Sequence, residues 1–166
     1  MSRPAYPDNW SWQNGPVSAG PAVIVDVDGV IADGWHRQHF LQGARRDWKT
    51  FFSHAGDDTP VEGSVELLAH FDAEIKIILL TARPHYLRQT TIDWTERHGY
   101  RWELLVMRGR RDGGISSPEF KRRALSDIRG RGFEPRLAID DDQRNVDMFR
   151  SEGVPTLYVH SGYYEA

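Results

Sequence analysis

Four short runs of aliphatic and β-branched residues, apolar on both faces, set the strongest limit on how this chain folds. They are PAVIVDV at 21–27, EIKIILL at 74–80, PRLAID at 135–140 and VPTLYVH at 154–160. A strand wetted on one side alternates polar with apolar residues, whereas a run without alternation fits a strand covered on both faces. A fifth run, RWELLVM at 101–107, is weaker. Helical spacing fills the intervals. Val61, Val65 and Leu68 form one stripe; Phe120, Ala124, Leu125 and Ile128 form another behind Ser-Ser-Pro; Val146 and Phe149 mark a third, closed by Gly153 and Pro155. Strands alternating with helices predict an α/β fold: a doubly wound, Rossmann-like, five-stranded and mostly parallel sheet with helices on both faces. Residues 1–20, rich in Pro, Gly, Ser and Asn, read as an N-terminal arm that is either flexible or packed by Trp10 and Trp12.

The 166 residues suit one such domain over 21–166. No cysteine is present, which excludes disulfides, thiolate metal sites and a cysteine nucleophile. No apolar run reaches the roughly 20 residues of a membrane span, and MSRPAYPDNW lacks a signal-peptide core. The expectation is a soluble, cytoplasmic protein with no membrane partner. The net charge of −3 conceals nine basic residues between Arg108 and Arg136 against four acidic ones. That run reads either as a contact for a polyanion or as a solvated helix face.

In a doubly wound sheet, ligands bind beyond the carboxyl ends of the strands. Chemistry-bearing residues follow four of the runs or lie beside them. The first run ends in Asp26-Val27-Asp28-Gly29, two carboxylates with a glycine for a sharp exit. Charge at the end of so apolar a strand is costly, and a hard cation such as magnesium would offset the repulsion. The second run ends in Thr81-Ala82-Arg83-Pro84, where a hydroxyl and a guanidinium face either an anion or the start of a helix near Pro84. Lys121 opens the helix after Pro118. Asp140-Asp141-Asp142 follows the fourth strand, as metal ligands or as dipole partners of the next helix.

Asp-x-Asp-Gly, then Thr, then Lys, then Asp-Asp, in that order, resembles the haloacid dehalogenase superfamily over about residues 22–160. The resemblance implies a magnesium-dependent phosphatase. In it Asp26 is the nucleophile and Asp28 the acid and base, while Thr81 and Lys121 meet the transferring phosphoryl group. It further implies magnesium held by Asp26, the Asp28 carbonyl and Asp141, with Asp140 behind them. Val30 departs from the threonine of many relatives. Within the superfamily, DVDGVIADGWHR, TAR and LAIDDDQRNVDMFRSEGV are similar to the 3′-phosphatase domain of phage-type polynucleotide kinase-phosphatases. That family has an arginine eleven residues after the nucleophile, matched by Arg37, and one two residues after the motif-two hydroxyl, matched by Arg83. Both would contact substrate phosphate, with Gly29 and Ala82 beside them. No GxxxxGK[ST] occurs, so an end-healing role implies a separate kinase or ligase partner.

Between Val30 and the second strand there is room only for a small helical insertion near 35–56. A minimal cap, or none, implies an open site accessible to a polymer end. The insertion's Phe40, Trp48, Phe51 and Phe52 read as a small core or as stacking surfaces. His36 and His39, spaced as a metal pair on a helix but lacking a third ligand, read as polar surface. The alternatives are a 5′(3′)-nucleotidase or small-molecule phosphatase, and a catalytically silent phosphate- or nucleic-acid-binding module. A signalling receiver domain is disfavoured, because there the acidic pair comes first and the lysine last.

Overall fold

A computed structural model of the protein describes residues 5–165. In chain order its elements are β1 (Trp10–Trp12), β2 (Pro21–Val25), β3 (Ala32–Asp33), α1 (Trp48–Ser53), β4 (Thr59–Pro60), α2 (Ser64–Ala69), β5 (Lys76–Pro84), α3 (Arg88–Arg97), β6 (Leu104–Arg108), α4 (Ser117–Gly130), β7 (Glu134–Asp140), α5 (Gln143–Ser151) and β8 (Thr156–Tyr158). All five apolar runs form strands, and they pair in parallel in the order β6-β5-β2-β7-β8.

The sheet has six strands rather than five, because β1 lies antiparallel on the edge of β6. A three-residue segment has too little pattern to read as a strand. The open backbone of β6 imposes the conformation, aligning Trp10 with Val106 and Trp12 with Leu104, and the arm covers an edge otherwise free to pair with another chain. Trp10 is buried, with its ring 5.8 Å from Tyr6 and 6.4 Å from Phe133.

Period-two alternation divides the core between the two faces. Ala22, Ile24, Ile78, Leu80, Leu104 and Val106 pack on one side with Phe120, Leu125, Ile128 and Phe149 from α4 and α5. Val23, Val25, Ile77, Leu79 and Leu105 pack on the other with Leu68, Trp94 and Tyr100. From central β2 the chain builds outward through β5 and β6, then crosses back to place β7 on the other flank. The strand order therefore reverses between β2 and β7, and a crevice opens there beyond their carboxyl ends.

The insertion between β2 and β5 is a two-stranded ribbon of β3 and β4 enclosing a 3₁₀ segment (Trp35–Leu41), α1 and a single turn at Ala55–Asp57. It is tied down where Val61 N donates to Ile31 O at 2.8 Å. Among the described residues, no helix is long and apolar enough to cross a membrane.

Trp10→Ala is expected to cost about 3 kcal/mol, the lower end for truncating a buried tryptophan. A shift of the urea midpoint to lower concentration with an unchanged m-value checks it.

Candidate active site

The crevice collects the strand-end residues. Asp26 leaves β2, Asp140 ends β7, Lys121 reaches in from the first turns of α4, and Thr81 and Arg83 belong to β5 itself. That strand runs on through Pro84, so α3 starts at Arg88 after a turn at His85–Leu87 rather than near Pro84. Thr81 is consequently a buried strand residue, its hydroxyl accepting from Arg83 N at 3.2 Å.

Two separate ionic systems fill the site. In the first, the buried Lys121 Nζ donates to Asp140 Oδ2 at 2.6 Å and pairs with Asp26 Oδ1 at 3.0 Å. The other Asp140 oxygen accepts from Asp142 N at 3.0 Å and from Asn145 Nδ2 at 3.1 Å, so this carboxylate is fully partnered. Asp141 is not. Ser161 approaches it, yet both of its buried oxygens lack a hydrogen bond of good geometry. Asp26, Asp140 and Asp141 each bring one oxygen to within 4.8 Å of the others. Two orphaned carboxylate oxygens in the interior are costly, and a hard divalent cation meets that demand. The donor set fits such an ion. The Asp28 carboxylate stands outside this group, leaving only its backbone carbonyl for the ligand role that the resemblance implies.

Burial pushes the Asp26 carboxyl well above its ordinary range; Lys121 opposes the shift, and Asp140 and Asp141 add to it. Burial alone would lower the Lys121 ammonium, but Asp140 and Asp26 reverse the sign and keep it charged. Asp141 is pushed up to about 6, chiefly by burial with the Asp140 charge behind it.

The second system is a buried network of two aspartates and two arginines. Arg83 grips Asp28 with Nε on Oδ2 at 3.0 Å and Nη2 on Oδ1 at 2.8 Å, while Arg37 Nη2 donates to Oδ1 at 2.7 Å. Behind them Asp58 accepts from Arg37 Nε (2.7 Å) and Nη2 (2.8 Å) and from Arg83 Nη2 (3.0 Å). Arg83 Nη1 reaches Thr91 Oγ1 at 3.1 Å, and the Arg37 guanidinium lies 4.1 Å from the centre of the Phe51 ring. Burial would raise the Asp28 carboxyl, but Arg83 and then Arg37 outweigh it and hold it at about 2. The resemblance implies that Arg37 and Arg83 contact substrate phosphate. Both are buried and engaged by carboxylates; Arg83 keeps one border on the cavity and Arg37 none.

Gly29 lies in the turn just after Asp28. Its N–H already donates to Ala32 O at 2.9 Å. At φ +80 a Cβ would collide with the Asp141 carboxylate, so the position requires glycine for space and backbone conformation. Ala82 does line the cavity, and its carbonyl accepts from Arg108 Nε at 3.1 Å.

The cavity has a volume of about 1030 Å³ and is bordered by Asp26, Asp28, Lys121, Trp35, Trp48 and Tyr164. Asp58, Asn145 and Tyr163 were not legible as site residues. Asp58 lies in the insertion away from any main strand end, and only folding brings it under the arginines. Tyr163 stacks on Trp35 (6.3 Å) and accepts from Gly34 N at 2.7 Å, closing one side of the mouth. His36 is not plain surface, because its Nε2 meets Asp58 Oδ1 at 2.9 Å. The basic run from 108 to 136 does not form one patch. Arg108 bonds three backbone carbonyls, Arg122 and Arg123 pair with Glu119, Arg136 pairs with Glu134, Arg129 and Arg131 bond carbonyls, and Lys121 is interior; Arg110 and Arg111 are exposed without an ion-pair partner among the described residues.

A family model described as the polynucleotide kinase PNKP phosphatase domain matches residues 20–164. No curated protein matches. Among solved structures, a chain of the Pnkp1/Rnl/Hen1 RNA repair complex is similar with a TM-score of 0.67 and 25% identity, over 90% of this chain and 45% of that one. This chain therefore spans less than half of that relative. A class C acid phosphatase from Bacillus anthracis with tungstate bound (TM-score 0.62, 17% identity, 91% of this chain and 70% of that one) shares the fold. So does the putative HAD-hydrolase YfnB from Bacillus subtilis bound to magnesium (0.61, 10%, 85% and 87%).

Asp58→Ala leaves Arg37 and Arg83 buried with a single carboxylate between them. A loss of about 3–5 kcal/mol is expected, as for other broken buried ion pairs, measurable by denaturant unfolding.

Proposed function

The chain belongs to the phosphatase-domain family of polynucleotide kinases, within the haloacid dehalogenase superfamily, and is a phosphatase of that type; on this premise we propose that it removes 3′-phosphates from nucleic-acid ends with magnesium and an aspartyl-phosphate intermediate. The carrying observation is the Asp26 carboxylate. It is set at the strand switch with one oxygen on Lys121 and the unpartnered Asp141 beside it, at the floor of a cavity whose volume matches the upper end of ligand pockets, about 1000 Å³. The likeness to a chain of an RNA repair complex supports a polymer end as substrate, and a separate kinase or ligase as partner.

In this reading Asp26 attacks phosphorus while the bond to the 3′ oxygen breaks. Asp28 supplies the proton to that leaving oxygen. Because the arginines hold Asp28 ionised at rest, it relays this proton in one concerted transfer from the incoming phosphomonoester, whose second pKa of about 6 leaves it partly protonated near neutral pH, to the departing oxygen, so no protonated Asp28 accumulates. Ionised again, Asp28 accepts a proton from water; the water attacks phosphorus and the Asp26–phosphorus bond breaks, releasing phosphate. Lys121 stays charged throughout and offsets negative charge on the transferring group, and the Thr81 hydroxyl, which already accepts from Arg83 N, would donate its own proton to a phosphoryl oxygen. Arg37 and Arg83 act by orienting Asp28. Asp26, the Asp28 carbonyl and Asp141 would hold magnesium, and Asp140 would support them while anchoring Lys121. When bound, the ion supplies positive charge to the carboxylates and to the phosphoryl oxygens.

Asp26→Asn should lower phosphate release from a 3′-phosphorylated oligonucleotide about a thousandfold or more, as loss of a nucleophile does. Assayed with magnesium and with EDTA, beside a 5′-phosphorylated oligomer and a 3′-mononucleotide, wild type should favour the 3′-phosphorylated oligomer. Preference for the mononucleotide would move the reading to nucleotide metabolism.

Saturating magnesium at pH 7.5 should raise Tm by about 5–10 °C, taking roughly 2.7 kcal/mol at a hundredfold excess over Kd. Asp141 in the folded chain titrates near 6, above its unfolded value, so protons compete with the metal as pH falls through that window. The rise should shrink by pH 5.5 and vanish in Asp141→Asn; an undiminished rise in that variant would remove Asp141 from the metal site.

A further inference from the structure

The insertion carries a surface that the proposed chemistry does not use. Its aromatic residues do not form one core. Phe51 turns inward beneath Arg37, while Trp48 remains 45% exposed and stacks on Phe52 at 5.6 Å and 27°. Tyr86, from the turn before α3, is 71% exposed and meets Phe52 edge-on at 6.4 Å. Trp48 borders the cavity mouth, the half-buried Phe52 beneath it packs on the core, and Tyr86 stands just outside; the exposed Trp48 and Tyr86 rings are apolar area of the kind that marks a contact surface.

Positive charge surrounds these rings. Arg45, Arg46 and Lys49 flank Trp48 in sequence and Arg88 opens α3 beside Tyr86; all four are exposed, and none has an ion-pair partner among the described residues. The one acid within that stretch, Asp47, is turned back onto its own helix, accepting from Thr50 N at 3.0 Å and from Thr50 Oγ1 at 2.7 Å. Arg46, Trp48 and Phe52 border the same cavity as Asp26 and Asp28, so the surface is continuous with the reaction centre.

Rings that offer their faces between unpaired cations match a chain of stacked bases joined by phosphates. Resting on the phosphatase reading above, we infer that this rim binds single-stranded nucleic acid: the nucleosides just upstream of the terminal phosphate stack on Trp48, Phe52 and Tyr86. Their backbone phosphates meet Arg45, Arg46, Lys49 and Arg88. A duplex end hides its base faces and a mononucleotide has no upstream base, so the rim selects single-stranded ends of a polymer. Every base has a π-face, so the selection is tolerant of sequence.

The test is fluorescence anisotropy with a 5′-labelled single-stranded octamer lacking a terminal phosphate, run as DNA and as RNA, beside a blunt hairpin of the same 3′ sequence. Trp48→Ala should raise Kd for the single strand about tenfold to a hundredfold, and Trp48→Phe should restore most of the affinity. Arg46→Ala should flatten the slope of log Kd against log salt by about 0.7. Both side chains are exposed, so truncation leaves the core intact. Unchanged affinity in Trp48→Ala and in Tyr86→Ala, or a hairpin held as tightly as the single strand, would overturn the inference. Because the probe carries no scissile phosphate, Trp48-dependent binding without turnover of any 3′-phosphate would retain the rim and reject the proposed function alone.

Discussion

Three carboxylates crowd the switch point between β2 and β7, and one buried ammonium group stands among them. Asp26, Asp140 and Asp141 belong to the apolar interior only because Lys121 bonds two of them and the third can meet a cation. The rest of the fold serves this contact. Central β2 delivers Asp26, β7 delivers the acidic pair, and α4 brings Lys121 down onto both. A sheet with any other strand order would leave these charges apart, each costly to bury alone.

Division of labour between two neighbouring carboxylates follows from their partners. Asp26 and Asp28 are two residues apart, yet burial raises one while a pair of guanidinium groups lowers the other. The lysine side of the site holds one Asp26 oxygen at 3.0 Å and keeps the group at the floor of the cavity. The arginine side fixes the Asp28 carboxylate in place, and Asp58 fixes the arginines. Arg37 and Arg83 thus meet the cavity mainly through the Asp28 carboxylate that they hold.

Electrostatics at the surface is decided by pairing rather than by counting. The basic run from 108 to 136 is the densest in the sequence, but acids and backbone carbonyls nearby engage most of it, leaving Arg110 and Arg111 exposed without an ion-pair partner among the described residues. The sparser cations around Trp48 and Tyr86 remain unpaired, and there the field meets exposed rings at the cavity mouth. For an incoming polyanion, a few unpaired charges beside a stacking surface outweigh many neutralised ones.

The sequence by itself determined the five parallel strands, the helices between them and the order of Asp26, Thr81, Lys121 and Asp140-Asp141 along the chain. These are local matters: apolar runs report burial on both faces, and a charge after such a run marks a strand end. The tertiary structure alone decided that Trp10–Trp12 forms a strand, because the edge of β6, far away in the chain, supplies the hydrogen bonds. It alone brought Arg37 and Arg83 onto Asp28 and Asp58, and gave Asp140 its partners in Lys121, Asn145 and the Asp142 N–H. Pairing depends on which charges meet across distant segments once water is excluded. A motif records that a charge is present, whereas its partner is chosen by the packed chain.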